Sequence, residues 1–427
     1  MSLEPFYPQV TLSALETQLA ALREKLSSAK TLIVEPNEHG IYAASEGQNS
    51  KSSSGYQNAW LRDNVMVAFS KWTCGDAESA FKTVSGLTTF LQTQATRMDA
   101  IIREPKEKED VNKRPHVRFN PQTLEEIGQS WAHAQNDALG YVLWLRFRLA
   151  NEAGFNLSSA EREFYTLLVR YLSAIQYWQD KDSGAWEESR KLNSSSVGAV
   201  VAGLSEVRKY LRTGDSSFGL TSEQLTDLIS FGDRTLELQL PFEAPPERRT
   251  DAALLFLIYP LGIVTNPETK RLILSLVRAR LLGSCGIRRY IGDSYYCQDY
   301  DKWFPPEARS ADFSNRIDLR DEFLRPGCEA QWCLFDPLLS VIYSAENVQQ
   351  MSQGNALQVQ LEHFNRSISQ IDSKGRCPEL YYLKHDGYVP NEHSPLAWTQ
   401  ANLAIALYYL EQTSRLVPTA SSHASLF

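Results

Sequence analysis

The chain has 427 residues, of which 43% are hydrophobic and 11% aromatic, and its formal net charge is -8. This size and composition predict a soluble globular protein with a large buried core. The acidic balance argues against a nucleic acid or an anionic membrane as the partner, since both attract a basic face. The sequence has no uninterrupted apolar run of about eighteen residues, so no membrane span is predicted. A neutral ligand rich in hydroxyl groups suits this charge better.

The first 26 residues, MSLEPFYPQVTLSALETQLAALREKL, are charged and periodic. They predict an amphipathic helix instead of a cleaved secretion signal, and therefore a cytoplasmic protein. The six cysteines, at positions 74, 285, 297, 328, 333 and 377, have no CxxC motif or histidine-rich tract beside them. We expect reduced structural thiols, because the spacing suits neither a zinc site nor a disulfide framework. The sequence indicates no required metal and no other cofactor.

Apolar residues recur at intervals of three and four, which predicts about twelve helices. In chain order we expect them at residues 11–29, 60–73, 77–101, 131–150, 158–178, 194–213, 221–238, 249–260, 267–282, 329–349, 352–371 and 394–412. Ser158, Thr221 and Asn266 resemble helix caps, since acidic residues follow them in the first turn. Two long irregular segments, 102–130 and 283–328, are predicted to be functional loops.

The predicted helices have similar lengths and are joined in pairs. This arrangement is typical of a helical solenoid or of a closed ring of six helical hairpins. No fixed repeat runs through the sequence, and solenoids usually have one. We therefore predict an all-α fold, an (α/α)6 barrel, in which the loops at one rim build a pocket. No linker divides the chain, so residues 1–427 are predicted to form a single domain without a separate carbohydrate-binding module.

Two adjacent acids, Glu187 and Glu188, follow Trp186 in the stretch GAWEESRKLNSSSVGAVVAGL, just before an apolar helix. Such a pair suits a general acid, because like charge and partial burial both raise the pKa of a carboxyl group. Glycoside hydrolysis needs a second carboxyl group on the other side of the scissile bond. Glu379, in a loop that begins with a proline just before the last helix, is the predicted partner.

A second cluster, GYQNAWLRDNVMVAF, places Trp60, Arg62 and Asp63 at the start of an apolar helix. Asp63 can accept hydrogen bonds from two neighbouring sugar hydroxyls while Arg62 donates to others, and Trp60 offers an apolar face. A capping acid beside a surface arginine is the structural alternative, and the motif alone does not decide between the two.

Two further clusters leave a structural alternative open. In SWAHAQNDALGYVLWL, the residues Trp131, Gln135 and Asp137 suit either a binding site or an ordinary helix start with a favourable dipole acid. In GIRRYIGDSYYCQDY, Arg289 stands in a tyrosine-rich segment that also suits a packed loop. A last cluster, RPGCEAQWCLFDPLL, is predicted to open a helix with Trp332.

Taken in order, these motifs resemble the series found in the glucoamylase family of glycoside hydrolases. They also resemble the glucoamylase-like N-terminal domain of the phosphorylase kinase α and β subunits. The likeness covers about residues 35–412 and rests on AWLRDN, QND, AWEE, LNSSSVG, RRY, IGDSYYCQDY, CEAQW and PELYYL. Each motif alone is weak, whereas their common order on a helical background is specific.

The resemblance implies an (α/α)6 barrel and an inverting attack on an α-glucosidic bond. By that resemblance Glu187 is the general acid, Glu188 a neighbouring acid that contacts the substrate, and Glu379 the general base. The implied substrate-binding residues are Trp60, Arg62, Asp63, Trp131, Gln135, Asp137, Trp186, Glu188, Arg289 and Trp332. The implied partner is an α-glucan or a malto-oligosaccharide, and the sequence indicates no particular protein partner.

The chain departs from glucoamylases in two motifs. Ala132-His133-Ala134 replaces the usual Gly-Arg-Pro, and Leu380 stands where glutamine commonly follows the base. Both departures favour the phosphorylase kinase side of the resemblance. Two functions therefore stay open: a hydrolase that releases glucose from the non-reducing ends of α-glucans, and a glucan-binding or regulatory domain that hydrolyses nothing.

Overall fold

The structure is a computed structural model that describes residues 6–45, 55–212, 218–344, 353–385 and 387–416. Its α-helices in these ranges are α1 (Leu15–Ser28), α2 (Leu61–Thr73), α3 (Ala77–Thr93), α4 (Ala95–Arg103), α5 (Asn136–Ala153), α6 (Ser159–Ala174), α7 (Ser194–Leu211), α8 (Ser222–Gln239), α9 (Leu255–Ile258), α10 (Pro267–Arg280), α11 (Tyr300–Trp303), α12 (Ile317–Asp321), α13 (Phe335–Ile342), α14 (Gln353–Ser369) and α15 (Ala397–Leu416). The strands are β1 (Ala59–Trp60), β2 (Arg118–Phe119), β3 (Gln331–Trp332), β4 (Leu380–Lys384) and β5 (Gly387–Pro390).

Six helices, α2, α5, α7, α9, α13 and α15, form a closed inner ring in which each contacts the next and α15 returns to α2. Most residues of these helices are buried, and in α7 every residue from Ser194 to Leu204 is buried. The outer helices α1, α3, α8, α10 and α14 pack against helices of the inner ring. Helix α6 contacts α5 through the aromatic side chains of Tyr165 and Phe147. The predicted six-hairpin toroid is confirmed.

Local sequence explains how the outer helices begin and how closely the ring packs. Ser158 and Thr221 form capping boxes at the starts of α6 and α8, and Asn266 caps α10, as their sequences predict. In the ring, a Cβ atom on Gly140 would lie 2.6 Å from the backbone of Ala199. Because glycine has no Cβ, α5 and α7 can approach each other this closely.

Several predicted helix bounds are wrong. The helix expected at 77–101 is divided at Gln94 into α3 and α4, and the one expected at 249–260 is a short 3-10 turn followed by α9. Residues 131–135 precede α5, and Gln331–Trp332 is strand β3 where a helix was expected to open. Apolar spacing alone cannot distinguish a short buried strand from a helix. Residues 345–349 of that predicted helix lie outside the described ranges.

Two small antiparallel sheets carry residues of the predicted site. In one, Trp60 of β1 pairs with Arg118 of β2. In the other, Trp332 of β3 pairs with Leu380 of β4, and β4 continues into a hairpin with β5. Glu379 therefore precedes a strand, whereas the sequence suggested a loop leading directly into the last helix. No helix of the described ranges is long and apolar enough to cross a membrane.

Candidate active site

A cavity lies at the end of the ring where the inner helices begin. About 780 Å³ of space there is free of protein atoms, part of it open to solvent. Nine residues that the sequence singled out line it: Trp60, Arg62, Asp63, Trp131, Trp186, Glu187, Arg289, Trp332 and Glu379. They come from loops and helix starts spread along the whole chain, so ring closure is what brings them together.

Glu187 follows a 3-10 turn, Gly184–Trp186, and has the left-handed backbone conformation with φ of 59°. This conformation is unfavourable for a residue with a side chain and is common at functional sites. Gln135 Nε2 donates a hydrogen bond of 3.1 Å to Glu187 Oε1, and Arg62 Nη2 lies 3.7 Å from the same oxygen. Burial raises the pKa of Glu187, against the opposing charge of Arg62. A carboxyl group with a raised pKa can keep the proton that a general acid must deliver.

Glu379 is only 2% exposed, and three neighbours hold its carboxylate. The hydroxyl of Tyr56 donates a hydrogen bond of 2.6 Å to Oε1. Asn391 Nδ2 and His393 Nδ1 lie 2.5 and 2.9 Å from Oε2. The rings of Tyr56 and His393 stack with centroids 3.5 Å apart. These contacts fix the orientation of Glu379 in the cavity wall.

Gln135 and Asp137 do not line the cavity, although the sequence placed them among the substrate-binding residues. Arg62 Nη1 donates to Asp137 Oδ2 over 2.8 Å and to Gln135 Oε1 over 3.0 Å. The pair is almost fully buried, with side-chain exposures of 4% for Arg62 and 1% for Asp137. The geometry therefore gives Gln135 and Asp137 a positioning role, since they hold Arg62 and Glu187 in place.

Glu188 differs most from its expected place. Its Oε1 accepts hydrogen bonds from Arg289, Arg320 and Tyr290 at 3.2, 2.5 and 2.8 Å. Its Oε2 accepts from Arg248 and Tyr290 at 2.7 and 2.6 Å. Burial alone would raise the pKa of Glu188, but the three arginines hold it far below its usual value. Both oxygens are occupied and the side chain lies outside the cavity lining, so the structure places Glu188 as an anchor of Arg289 and Arg320. The expected substrate contact stays a prediction.

The aromatic walls stand in two groups. The rings of Trp60 and Trp131 meet edge to face at 5.9 Å, and those of Trp186 and Trp332 also lie 5.9 Å apart. Behind the first group, the guanidinium of Arg118 lies 4.0 Å from the ring centre of Trp131 and 4.9 Å from that of Trp60. Such cation–π contacts hold both indoles in place.

The sequence did not predict the other lining residues. The aromatic and polar ones among them are Tyr56, Tyr295, Trp398, Arg320, and Ser310–Phe313 of the second long loop. Tyr56 and Tyr295 stand inside motifs quoted above, where a tyrosine that reaches a carboxylate looks like a packing residue. Arg320 and the 310–313 segment belong to a segment predicted to be a functional loop, but no local pattern points to them. Only the cavity itself identifies them.

Asp63 gives the site a pH-dependent contribution to stability. Burial, with smaller effects of Glu187 and Glu379, raises the pKa of Asp63 to about 7 against the opposing charge of Arg62. Between about pH 4 and pH 7 the folded protein keeps a proton that the unfolded chain has lost, so this contribution falls as the pH rises through that window. The unfolding free energy of wild type minus that of Asp63→Asn, measured in urea from pH 5 to pH 8, is expected to fall with pH.

The control for this measurement is Asp76→Asn. Asp76 caps α3, and its hydrogen bonds to Ser79 lower its pKa, so it stays ionised across the same range. The corresponding difference is expected to be flat from pH 5 to pH 8. A flat difference for Asp63→Asn as well would contradict the raised pKa of Asp63.

Comparison with known proteins agrees with this geometry. The family model described as "Glycosyl hydrolases family 15" matches residues 19–410. The chain is 28% identical to a probable phosphorylase b kinase regulatory subunit alpha of Caenorhabditis elegans, over 83% of this chain but only 30% of that protein. A glycosidase variant in complex with glucose has the same fold, with a TM-score of 0.66 at 18% identity over 95% of this chain and 98% of the other. The glucoamylase of Saccharomycopsis fibuligera gives a TM-score of 0.59 at 14% identity over 97% and 99% of the two chains.

Proposed function

The chain belongs to family 15 of the glycosyl hydrolases, and on that premise we propose that it is an inverting glucoamylase-type hydrolase. It releases glucose from the non-reducing ends of malto-oligosaccharides or glycogen-like α-glucans. The observation that carries this proposal is that Glu187 and Glu379 line one cavity from separate parts of the chain. Inversion requires two carboxyl groups about 6.5–9.5 Å apart with a water between one of them and the sugar.

In the proposed reaction, Glu187 donates its proton to the glycosidic oxygen as the bond to the anomeric carbon breaks. Glu379 takes a proton from the water that attacks the opposite face of that carbon, so the released glucose has the β configuration. The raised pKa of Glu187 supports the acid role. The three hydrogen-bond partners of Glu379 support the base role, because they orient a carboxylate that has to accept a proton.

Substrate binding is assigned to the groups that remain in the cavity wall. Asp63 accepts from sugar hydroxyls, while Arg62 and Arg289 donate, each held by a buried acid outside the lining. Trp60, Trp131 and Trp332 cover the apolar faces of the sugar rings. This arrangement suits a neutral polyhydroxy ligand, in keeping with the charge of the chain.

The test is to incubate the protein with maltotriose and to follow the glucose anomers by proton NMR before they equilibrate. We expect β-glucose to appear first. Initial α-glucose would exclude inversion and with it the assignment of Glu379 as a base. A variant with Glu268→Gln, an exposed acid in the first turn of α10, is expected to release β-glucose at the wild-type rate.

A second candidate is a glucan-binding or regulatory domain that does not hydrolyse its ligand. It is favoured by the 28% identity to a protein described as a regulatory subunit, of which this chain spans 30%. In that case the same cavity binds malto-oligosaccharides, and no glucose is released from maltotriose or glycogen. Binding measured by calorimetry without release would therefore select this alternative.

A further inference from the structure

A second cavity lies on the other side of Glu188. It contains about 1020 Å³ of space, open to solvent, and Glu188 and Tyr290 form part of its wall. Lys191, Arg248, Arg249 and Arg280 also line it. Glu188 thus contacts two arginines of the catalytic cavity, Arg289 and Arg320, while its other oxygen receives Arg248 from the second cavity.

Positive charge in this second cavity is only partly balanced. Arg248 pairs with Glu188 and lies 3.5 Å from Asp251. By contrast, Lys191, Arg249 and Arg280 form no ion pair with any carboxylate of the described residues. Lys191 Nζ donates to the backbone oxygen of Ser189 over 3.0 Å, which leaves its charge without a counter-ion.

The acids nearby do not supply that counter-ion. Both oxygens of Glu188 are already occupied, and Asp321 Oδ1 accepts a hydrogen bond of 2.5 Å from Ser294. Glu247 is exposed at the rim and pairs with no described cation. Burial and the charge of Arg248 lower the pKa of Lys191, as expected where positive charge is in excess. A bound anion would relieve this excess.

We propose that this second cavity, lined by Lys191, Arg248, Arg249 and Arg280, binds a phosphate monoester of a small polyhydroxy compound. The ammonium and guanidinium groups are the side chains that recognise phosphate oxygens. The remaining acceptors, the carboxylate of Glu247 and the second oxygen of Asp321, suit hydroxyl groups on the rest of the ligand. The site is distinct from the catalytic cavity and does not depend on hydrolysis.

The test is isothermal titration calorimetry at constant ionic strength with inorganic phosphate, glucose 6-phosphate and glucose. We expect both phosphates to bind, and glucose 6-phosphate to bind more tightly because its hydroxyls reach the rim acids. Lys191→Met and Arg280→Met are each expected to weaken the binding of both phosphates at least about tenfold, the effect of about 1.4 kcal/mol. Equal affinity of the two phosphates would overturn the polyhydroxy part of the proposal.

Arg278→Met is the matched control, because Arg278 stands two residues before Arg280 on α10 but pairs with Glu362 outside the cavity. Its phosphate affinity is expected to equal that of wild type. Arg249→Met is a third cavity variant, at an exposed position, and is also expected to weaken phosphate binding, so a folding defect in one variant does not decide the outcome. No phosphate binding at millimolar concentration, or binding that none of the three cavity variants weakens, would overturn the proposal. Neither result bears on maltotriose hydrolysis.

Discussion

Glutamine in place of Glu379 is expected to lower kcat for maltotriose by about 100- to 10,000-fold, the usual contribution of a positioned general base. The amide has nearly the shape of the carboxylate but cannot accept a proton from the attacking water. Tyr56, Asn391 and His393 contact this side chain in the folded protein, so the substitution changes a buried network as well. Circular dichroism and thermal unfolding of the variant therefore accompany the kinetic measurement.

The same substitution at Glu187 serves to separate the acid from the base. Loss of the general acid is expected to slow maltotriose hydrolysis by a similar factor, because the leaving sugar oxygen then departs without a proton. α-Glucosyl fluoride has a leaving group that needs much less protonation, so Glu187→Gln is expected to retain most of its activity on it. Glu379→Gln is expected to be slow on both substrates.

Comparing the two variants on maltotriose and α-glucosyl fluoride tests which carboxyl group is the acid and which is the base. If Glu379→Gln recovered on α-glucosyl fluoride and Glu187→Gln did not, the roles would have to be exchanged. If neither variant slowed the release of glucose, both carboxyl groups would lie outside the reaction. Glu268→Gln again provides the control with the same chemical change at an exposed position.

Glu188→Gln is expected to destabilise the folded protein by about 3–5 kcal/mol, the loss found when one partner of a buried ion pair is removed. Arg248, Arg289 and Arg320 all converge on this carboxylate. The isosteric amide removes the negative charge on which the three guanidinium groups converge. Asp293 still pairs with Arg289 and Asp251 lies near Arg248, but Arg320 loses the carboxylate that it pairs with. Urea unfolding at pH 7 measures the loss. Arg289 and Arg320 line the catalytic cavity, so KM for maltotriose is expected to rise in the same variant.

Glu126→Gln is the matched control for this prediction. Glu126 accepts two hydrogen bonds from Arg97, but its side chain is 36% exposed and that of Arg97 is 28% exposed. Exposed pairs contribute about 0–1 kcal/mol, because water screens them. Equal losses of unfolding free energy in Glu188→Gln and Glu126→Gln would mean that the three arginines around Glu188 do not add to the stability of the folded protein.

The departure at Ala132-His133-Ala134 has a structural counterpart in Arg118. His133 stacks on His116 with ring centroids 3.7 Å apart, and burial, followed by the charge of His116, lowers the pKa of His133 to about 2. A neutral imidazole thus stands at the position that the sequence resemblance matches to an arginine of glucoamylases. Arg118, from strand β2, brings a guanidinium to the Trp60–Trp131 wall instead. It is buried, and no carboxylate of the described residues lies within ion-pair distance of it.

The sequence alone predicted the helical ring and nine of the residues that line the cavity. Apolar spacing is a local property that persists in the folded chain, so it predicted most of the long helices. It failed for Gln331–Trp332 and for the region of α9, where tertiary contacts decide the backbone of short apolar segments. The motifs that carry Glu187 and Glu379 meet at one cavity because each lies before a ring helix, α7 and α15 respectively.

Only the tertiary structure decided what the neighbouring acids do. Glu187 and Glu188 are adjacent in sequence, yet Glu187 lines the cavity that contains Glu379 and Glu188 lines the second cavity behind it. The left-handed backbone at Glu187 and the three arginines around Glu188 determine this division. Those arginines come from distant segments without a shared local pattern, and the charge environment of a carboxyl group depends on such long-range packing. Sequence therefore identified the pair of acids, while the fold placed one in the cavity wall beside Glu379 and the other among the arginines behind it.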